Sequence, residues 1–222
     1  MCVAAFIKSD DLKKAREVFA LPSENGGARY RVRTEDDLPV VESEENRGPT
    51  WAEMRWSARQ VWAGKSLASF NVKSERVGEN QLWKVSYGTR HCLLFCSGFF
   101  ERKGTDRPPR YHYFTRADRK TMALAGLWKF WENKKICTFL TQPADARVSS
   151  IHPRMPLFLG EECWKSWLDV VKFQDVDWKK VVSTSSCELD SWPVTSDLFR
   201  SNLRNDESVL KKINVPQQIE LF

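Results

Sequence analysis

The 222-residue sequence has no apolar run approaching the ~18–20 residues that a membrane-spanning helix needs. Its opening, Met1-Cys2-Val3-Ala4-Ala5-Phe6-Ile7, lacks a basic start and is interrupted at once by Lys8, Asp10 and Asp11. A secretory signal is therefore not expected, and the chain is expected to be cytosolic. No Cys-x-x-Cys pair occurs among Cys2, Cys92, Cys96, Cys137, Cys163 and Cys187. That absence, with no further ligands at zinc spacing around His91, Cys92 and Cys96, argues against a metal site. In a reducing cytosol the cysteines should also stay unpaired, and Cys92, Cys96 and Cys137 sit in apolar runs as small buried hydrophobes. There is no internal repeat, no low-complexity tract and no regular alternation of strands with helices, which excludes solenoids and doubly wound α/β folds. With 41% hydrophobic and 29% charged residues, wholesale disorder is excluded too.

What the chain does have is charge, unevenly placed. Residues 1–50 are net −2 and residues 136–222 are net −2, whereas residues 51–135 carry 17 basic and 7 acidic side chains, a net +10. Trp51, Trp56, Trp62, Trp83, Trp128 and Trp131 fall inside that basic block. Cations interleaved with large aromatics suit a polyanion surface, and a solvated basic face is the plainer alternative.

Period and turn signals predict a short strand over 2–8 and a helix from Asp11 to about Ala20, capped by Ser9-Asp10. Strands follow at 29–33 and 39–41, then an acidic surface loop from Glu42 to Pro49 and a strand over 66–74 that places Asn71, Lys73 and Glu75 on one face. Cys92 to Phe100 reads as one central strand with Glu101 at its polar end. Further strands are predicted over 111–115, 121–131 and 136–142. Ile151 to Pro156 must be extended, because residues before proline leave the helical region. A helix is predicted over 159–171 and a weakly packed tail over the last ~20 residues. Many strands with few helices indicate an α+β domain.

Four residue types in this pattern can carry chemistry. Removing Met1 would leave Cys2 with its α-amine and thiol two carbons apart, both partly nucleophilic near neutral pH. Such a 1,2-aminothiol condenses with an aldehyde to a Schiff base and closes to a thiazolidine; the alternative is a small packed cysteine. His152 sits in a rigid Pro-flanked segment, on the same extended face as Arg154, and is either an acid–base group or a structural histidine. Glu101, ending an apolar strand, is either a buried carboxyl with a raised pKa or a surface carboxylate paired with Arg102 or Lys103. Asn71 could orient an amine through its carbonyl oxygen, or simply occupy a turn or sheet edge.

Met1-Cys2, Asn71-x-Lys73-x-Glu75, Ser97-Gly98-Phe99-Phe100-Glu101 and Ile151-His152-Pro153-Arg154-Met155-Pro156, in that order, resemble the SRAP family of SOS-response-associated peptidases, or abasic-site processing proteins. Trp192-Pro193-Val194 is similar to the family's closing strand, so the resemblance runs from residue 2 to about 195. It implies one domain over 1–200 with mostly antiparallel sheets, a barrel-like core, a few flanking helices and a DNA groove, followed by a tail over 201–222. It further implies a thiazolidine crosslink between Cys2 and the aldehyde of an abasic site in single-stranded DNA, shielding the lesion from strand cleavage without any cofactor. Asn71 would position the amine, and Glu101 and His152 would handle protons. Lys73 and Arg154 fall where the family binds phosphates, with Met155 and Pro156 beside them, and Trp62 falls near an aromatic that meets the bases. The chain departs from the family pattern at Val3-Ala4, where Gly-Arg is usual, and at Arg31-Val32-Arg33-Thr34, where Asn-x-Ala-Pro is usual. It also departs at Lys73 in place of arginine and at Arg102 in place of tryptophan.

A Cys2/His152/Asn71 cysteine peptidase and a non-covalent single-stranded DNA-binding module are the competing readings. At the far end, Gln218-Ile219-Glu220-Leu221-Phe222 resembles the bacterial sliding-clamp-binding peptide, with Gln218 at the pocket edge and Ile219, Leu221 and Phe222 filling it. A last strand folded back on the domain is the alternative. A monomer associated with the nucleoid of a bacterium or phage-infected host is the corresponding expectation.

Overall fold

The computed structural model describes residues 4–23, 28–44, 47–56, 59–62, 65–68, 70–104, 109–171, 187–196 and 206–214; of residues 30, 59–62 and 65–68 only the backbone is described. In chain order the strands are β1 (Ala4–Ile7), β2 (Arg29–Arg33), β3 (Asp37–Glu44), β4 (Arg47–Trp56), β5 (Arg59–Trp62), β6 (Lys65–Ala68), β7 (Asn71–Lys73) and β8 (Arg90–Cys96). They continue as β9 (Gly98–Arg102), β10 (Tyr111–Arg116), β11 (Met122–Trp131), β12 (Lys134–Pro143), β13 (Arg154–Pro156), β14 (Phe158–Leu159) and β15 (Leu189–Val194). Helices α1 (Ser9–Phe19), α2 (Lys84–Thr89), α3 (Ala146–Ser149) and α4 (Trp164–Leu168) flank them, so the fold is α+β and mostly strand. No described helix is long and apolar enough to cross a membrane.

Five strands close on themselves. Neighbours run β12-β4-β3-β8-β11, and β11 pairs back to β12 from Gly126↔Phe139 to Trp131↔Lys134. Among the pairings of this ring only β12–β4 is parallel. The ring encloses Leu38, Val40, Met54, Trp56, Leu94, Trp128 and Phe139, with Trp56 and Phe139 meeting edge to face at 5.0 Å. Closure explains the unbroken apolar run of β8: Cys92, Leu94 and Cys96 face the enclosed core, while Leu93 and Phe95 face Trp164 and Trp167 of α4. A strand covered on both sides has no reason to alternate. The acidic stretch after residue 41 is not a surface loop. Glu42 and Ser43 continue β3, and Glu42 is buried against Lys135, whose ammonium stacks 4.5 Å above Trp128. A paired lysine is what lets a carboxylate stay in that interior.

The second sheet, β15-β10-β9-β1-β2, is antiparallel throughout. The expected single strand over 92–100 is in fact two, β8 in the barrel and β9 in this sheet, joined by a bend at Ser97. Ser97 donates to Asp11 Oδ2 (2.7 Å) and to Phe6 O through its backbone N–H (2.8 Å), and its carbonyl accepts from Thr115 (2.7 Å) and Tyr113 (3.1 Å). Asp11 also accepts from Thr121 (2.7 Å) and from the Lys8 N–H (2.8 Å), so the residue expected to begin α1 instead ties that helix to the corner. The predicted strand over 66–74 is split into β6 and β7, with Glu75 in a 3-10 turn over Ser74–Glu79. The predicted helix over 159–171 shortens to α4 preceded by β14 and a 3-10 turn.

Part of the expected loose tail is packed. Residues 206–214 lie on the second sheet: Val209 is buried with Phe6, Phe100 and Tyr113, Trp192 donates to Leu210 O, and Ile213 N–H bonds Pro193 O at 3.0 Å. Residues 215–222, including Gln218, Ile219, Leu221 and Phe222, lie outside the described residues.

The corner has a steric requirement. A Cβ on Gly98 would stand 2.3 Å from Phe114 O and 2.5 Å from the Tyr113 ring, too close for any side chain. Gly98→Ala should therefore cost about 1–3 kcal/mol, the usual range for an overpacked core, and lower the thermal midpoint by several degrees. A melting curve identical to that of the parent would show that the corner opens freely.

Candidate active site

The second sheet delivers Glu101. It lies on β9, opposite His112 of β10, one residue beyond the Phe100↔Ala4 pair at which the described part of β1 begins. Its side chain is fully buried, and burial pushes its carboxyl from the ordinary 4.5 up to about 8. At neutral pH it is mostly a protonated acid. The surface-carboxylate reading is excluded.

The barrel delivers His152. Asp145 caps α3 by accepting from the N–H groups of Arg147 and Val148, both at 3.0 Å. The chain then turns back, with Ile151 and His152 N–H both bonded to Val148 O at 2.9 Å. β13 follows, paired to β12 through Thr141↔Pro156, Gln142↔Met155 and Pro143↔Arg154. His152 Nδ1 sits 3.9 Å from Glu101 Oε2. It is also 2.8 Å from Arg154 O and 3.1 Å from Arg154 N. Nδ1 thus meets both the carbonyl and the N–H of Arg154, and the backbone of that residue fixes the orientation of the ring. Burial, aided by the Arg154 charge, lowers the His152 pKa despite this backbone contact. Acid and imidazole thus face each other in their neutral forms.

Asn71 opens β7, which runs parallel to β12 in the register Phe139↔Asn71, Leu140↔Val72 and Thr141↔Lys73. The backbone before it is held by Phe70 O, which accepts from Trp56 Nε1 (2.9 Å) and Thr138 Oγ1 (3.2 Å). Asn71 Oδ1 is shielded from solvent. Lys73 is exposed. Arg154 is held on several sides. Its two terminal nitrogens each donate to one oxygen of Glu75 at 2.8 Å, and Nε donates to Thr141 Oγ1 at 3.2 Å. Thr141 O takes a further bond from the guanidinium. The hydrogen bond from Arg154 holds the Glu75 carboxyl below the ordinary value.

The remaining expected residues separate. Met155 is 3% exposed and packs in the barrel core, and Pro156 is buried beside it, so these two anchor β13 rather than line a surface. Trp62 belongs to the β5–β6 hairpin, with its side chain outside the described set. Cys2 also lies outside it. In the sequence it precedes Ala4, where the described part of β1 begins, by two positions. Two neighbours were not expected from sequence. His112 shares the inner face of the sheet with Glu101 by register, and burial lowers its pKa. Thr141 joins Arg154 to β12. Neither stands in a motif, and only strand register identifies them.

Because the folded protein holds the Glu101 proton more tightly than the unfolded chain, this group's stabilising contribution is complete below about pH 4.5. It is then lost as pH rises toward 8. Glu101→Gln removes the titration. Its thermal midpoint relative to the parent should therefore rise between pH 5 and pH 9, by ~2–4 °C for each kcal/mol in a chain of this size. A difference independent of pH would contradict the buried acid.

The model for the family described as SOS response associated peptidase (SRAP) matches residues 1–201. An abasic site processing protein of Saccharomyces cerevisiae is 29% identical over 128 residues, 54% of this chain and 35% of that protein. The abasic site processing protein YoqW of Bacillus subtilis is 26% identical over 127 residues, 52% of this chain and 56% of its own length. The matched stretch thus spans about half or less of each of these relatives. Among solved structures, a protein from Bacteroides thetaiotaomicron superposes with a TM-score of 0.74 at 16% identity, covering 96% of this chain and all of that one. A phage-related protein from Bordetella bronchiseptica gives 0.70 at 18% identity, covering 88% of this chain and 95% of its own. These two similarities support the fold alone. The family match extends over nearly the whole chain and takes in every motif of the site, so the chain belongs to the SRAP family.

Proposed function

We propose that this protein processes abasic sites in single-stranded DNA by forming a covalent thiazolidine between Cys2, freed of Met1, and the aldehyde of the ring-opened sugar. The observation that carries the reading is the pairing of a buried, protonated Glu101 with a neutral His152, 3.9 Å apart, beside the start of β1. The names of the relatives support abasic sites as what is processed.

The steps balance with these groups alone. His152 takes the proton of the hemiacetal hydroxyl as the sugar opens and returns one to the ring oxygen. The Cys2 amine adds to the aldehyde, giving a carbinolamine. Glu101 donates its proton to the carbinolamine hydroxyl, which leaves as water and yields the iminium. The resulting carboxylate accepts the thiol proton, and the sulfur closes on the iminium carbon. One water is released overall, and Glu101 ends protonated. Ring closure removes the iminium that would otherwise drive β-elimination and strand breakage. Asn71 orients the amine, and Lys73 holds a neighbouring phosphate. A peptidase would use Cys2 with His152, but a free α-amine has no task in acyl transfer.

Denaturing electrophoresis after incubation with abasic single-stranded DNA tests the reading. A heat-stable shifted band, lost with Cys2→Ala, is expected; peptide cleavage without a shift would favour the peptidase, and reversible binding alone the non-covalent module. Glu101→Gln should slow crosslinking about 10²–10⁴-fold, the usual worth of a general acid. His152→Ala should impair release of the crosslink more than its formation. Wild-type formation and release in both variants would overturn these roles. Lys73→Ala should leave the chemistry intact but weaken DNA binding and reduce the dependence of log K on log salt by about 0.7, the value for one phosphate of a single strand. An unchanged slope would remove Lys73 from the phosphate contacts.

A further inference from the structure

The ribbon that carries Glu101 ends in cations. β9 and β10 are antiparallel, with Phe99 opposite Phe114 and Glu101 opposite His112. The ladder continues to Lys103 and Arg110, where the Lys103 N–H bonds Arg110 O at 2.8 Å. Side chains two apart along a strand share a face. One face of the ribbon therefore runs from Phe99 and Phe114, stacked in the core, through Glu101 and His112 to Lys103 and Arg110 at the rim. Exposure rises along the same line: Phe99, Phe114 and Glu101 are buried, whereas His112, Lys103 and Arg110 are half-buried.

Like charges directly opposite each other on an antiparallel pair are destabilising, and here an imidazole is set beside them. The charges acting on His112 are those of Lys103 and Arg110, and together with burial they lower its pKa. From β9 the same face adds Glu101, a protonated acid at neutral pH, with the uncharged His152 beyond it. From β15 it adds Pro193, opposite His112, which carries no charge. Among the described strand residues of this face none is negatively charged at neutral pH. Local conflicts of this kind collect at functional sites, and an anion would resolve this one. The rim also lies where a substrate must pass, because the Gly104 N–H bonds Ile151 O at 3.3 Å, in the turn that presents His152.

We propose that Lys103, Arg110 and His112 form a phosphate-binding corner beside Glu101, which takes a backbone phosphodiester of the DNA next to the abasic sugar. This rests on the reading above that abasic DNA is the substrate, and not on its covalent step. Lys73 belongs to the barrel side of the site and the corner to the second sheet, so the DNA is held from both frameworks. An anion beside His112 favours the imidazolium. Phosphate binding at the corner therefore takes up a proton. Its contribution to affinity is complete below the free-state pKa of His112 and fades as pH rises through the bound-state pKa.

The test uses the full chain with Lys103→Ala, Lys103→Arg and His112→Phe. Affinity for undamaged single-stranded DNA is measured across salt and pH, and the His112 imidazole is followed by NMR. Lys103→Ala should reduce the dependence of log K on log salt by about 0.7, one phosphate of a single strand, so that the affinity lost between 50 and 200 mM salt shrinks about 2.6-fold. Lys103→Arg should keep the parent slope. His112→Phe, which keeps a ring beside Phe114, should lose the part of the pH dependence that strengthens binding below about pH 6. In the parent, DNA should move the His112 titration to higher pH. Removing one of two opposed cations should leave the thermal midpoint unchanged or raise it. An unchanged salt slope in Lys103→Ala, or a His112 titration that DNA does not move, would overturn the corner. So would a lower thermal midpoint with an unchanged slope, the signature of a purely structural pair. Inorganic phosphate at equal ionic strength should move the His112 titration less than DNA does, and an equal shift would reassign the corner to free phosphate. Crosslinking to abasic DNA is followed in parallel. If the parent forms no crosslink while DNA still moves His112, the covalent reading fails and the corner stands; if it crosslinks while His112 stays unmoved, the corner alone fails.

Discussion

The bend at Ser97 sets the relation between the two halves of the molecule. Up to Cys96 the chain is a barrel strand, and from Gly98 it belongs to the second sheet. If the strand ran straight, Glu101 would extend along the barrel wall and His152 would have no partner. Four hydrogen bonds converge on Ser97, from or to α1, β1 and β10, and the missing side chain of Gly98 lets β10 approach. Asp11 at the centre is itself buried, which raises its pKa, and three donors surround it. A buried carboxyl with that many partners is expensive to leave unpaired, so the corner resists local opening.

The same burial gives Glu101 and His152 their states. An acid shifted up and a base shifted down have one cause, since neither charged form is solvated at the junction of barrel and sheet. A salt bridge in water would have left both ionised. Here the 3.9 Å contact is between a protonated acid and an uncharged imidazole. On the proposed covalent reading that combination would serve imine chemistry, which needs an acid to expel water and a base that does not compete as a cation. The cost is borne by folding stability on the alkaline side.

Much of this was legible in the sequence, for identifiable reasons. β2, β10, β11 and β12 were found nearly residue for residue, because period-2 patterning and bounding turns are local signals. The burial of Glu101 was weighed from the end of an apolar run and is confirmed by its complete exclusion from solvent. What local pattern could not convey was which of two sheets a strand joins. The run 92–100 is equally apolar before and after the bend, since α4 covers one part and residues 206–214 the other. The acidic residues after Val41 looked like a loop because their compensating cation, Lys135, is 93 positions from Glu42. Glu75 was assigned to the face of a strand, and its real partner, Arg154, is 79 positions away.

Strand β12 explains why the site nevertheless assembles from such distant pieces. Along its last residues it carries β7 on one edge and β13 on the other, so a single register fixes both the Asn71 strand and the strand that follows His152. Glu101 arrives from the other sheet and depends on no contact with β12 for its place in β9. Acid and base are therefore held by two independently hydrogen-bonded frameworks that meet only after the barrel has closed and the corner has formed. A partly folded chain, even with Met1 already removed, would expose an aminothiol without its acid and base side by side. On the proposed covalent reading, reactivity toward aldehydes beyond that of a free cysteine would in this way be restricted to the fully folded protein, and the selectivity of a terminal cysteine would be built into the topology.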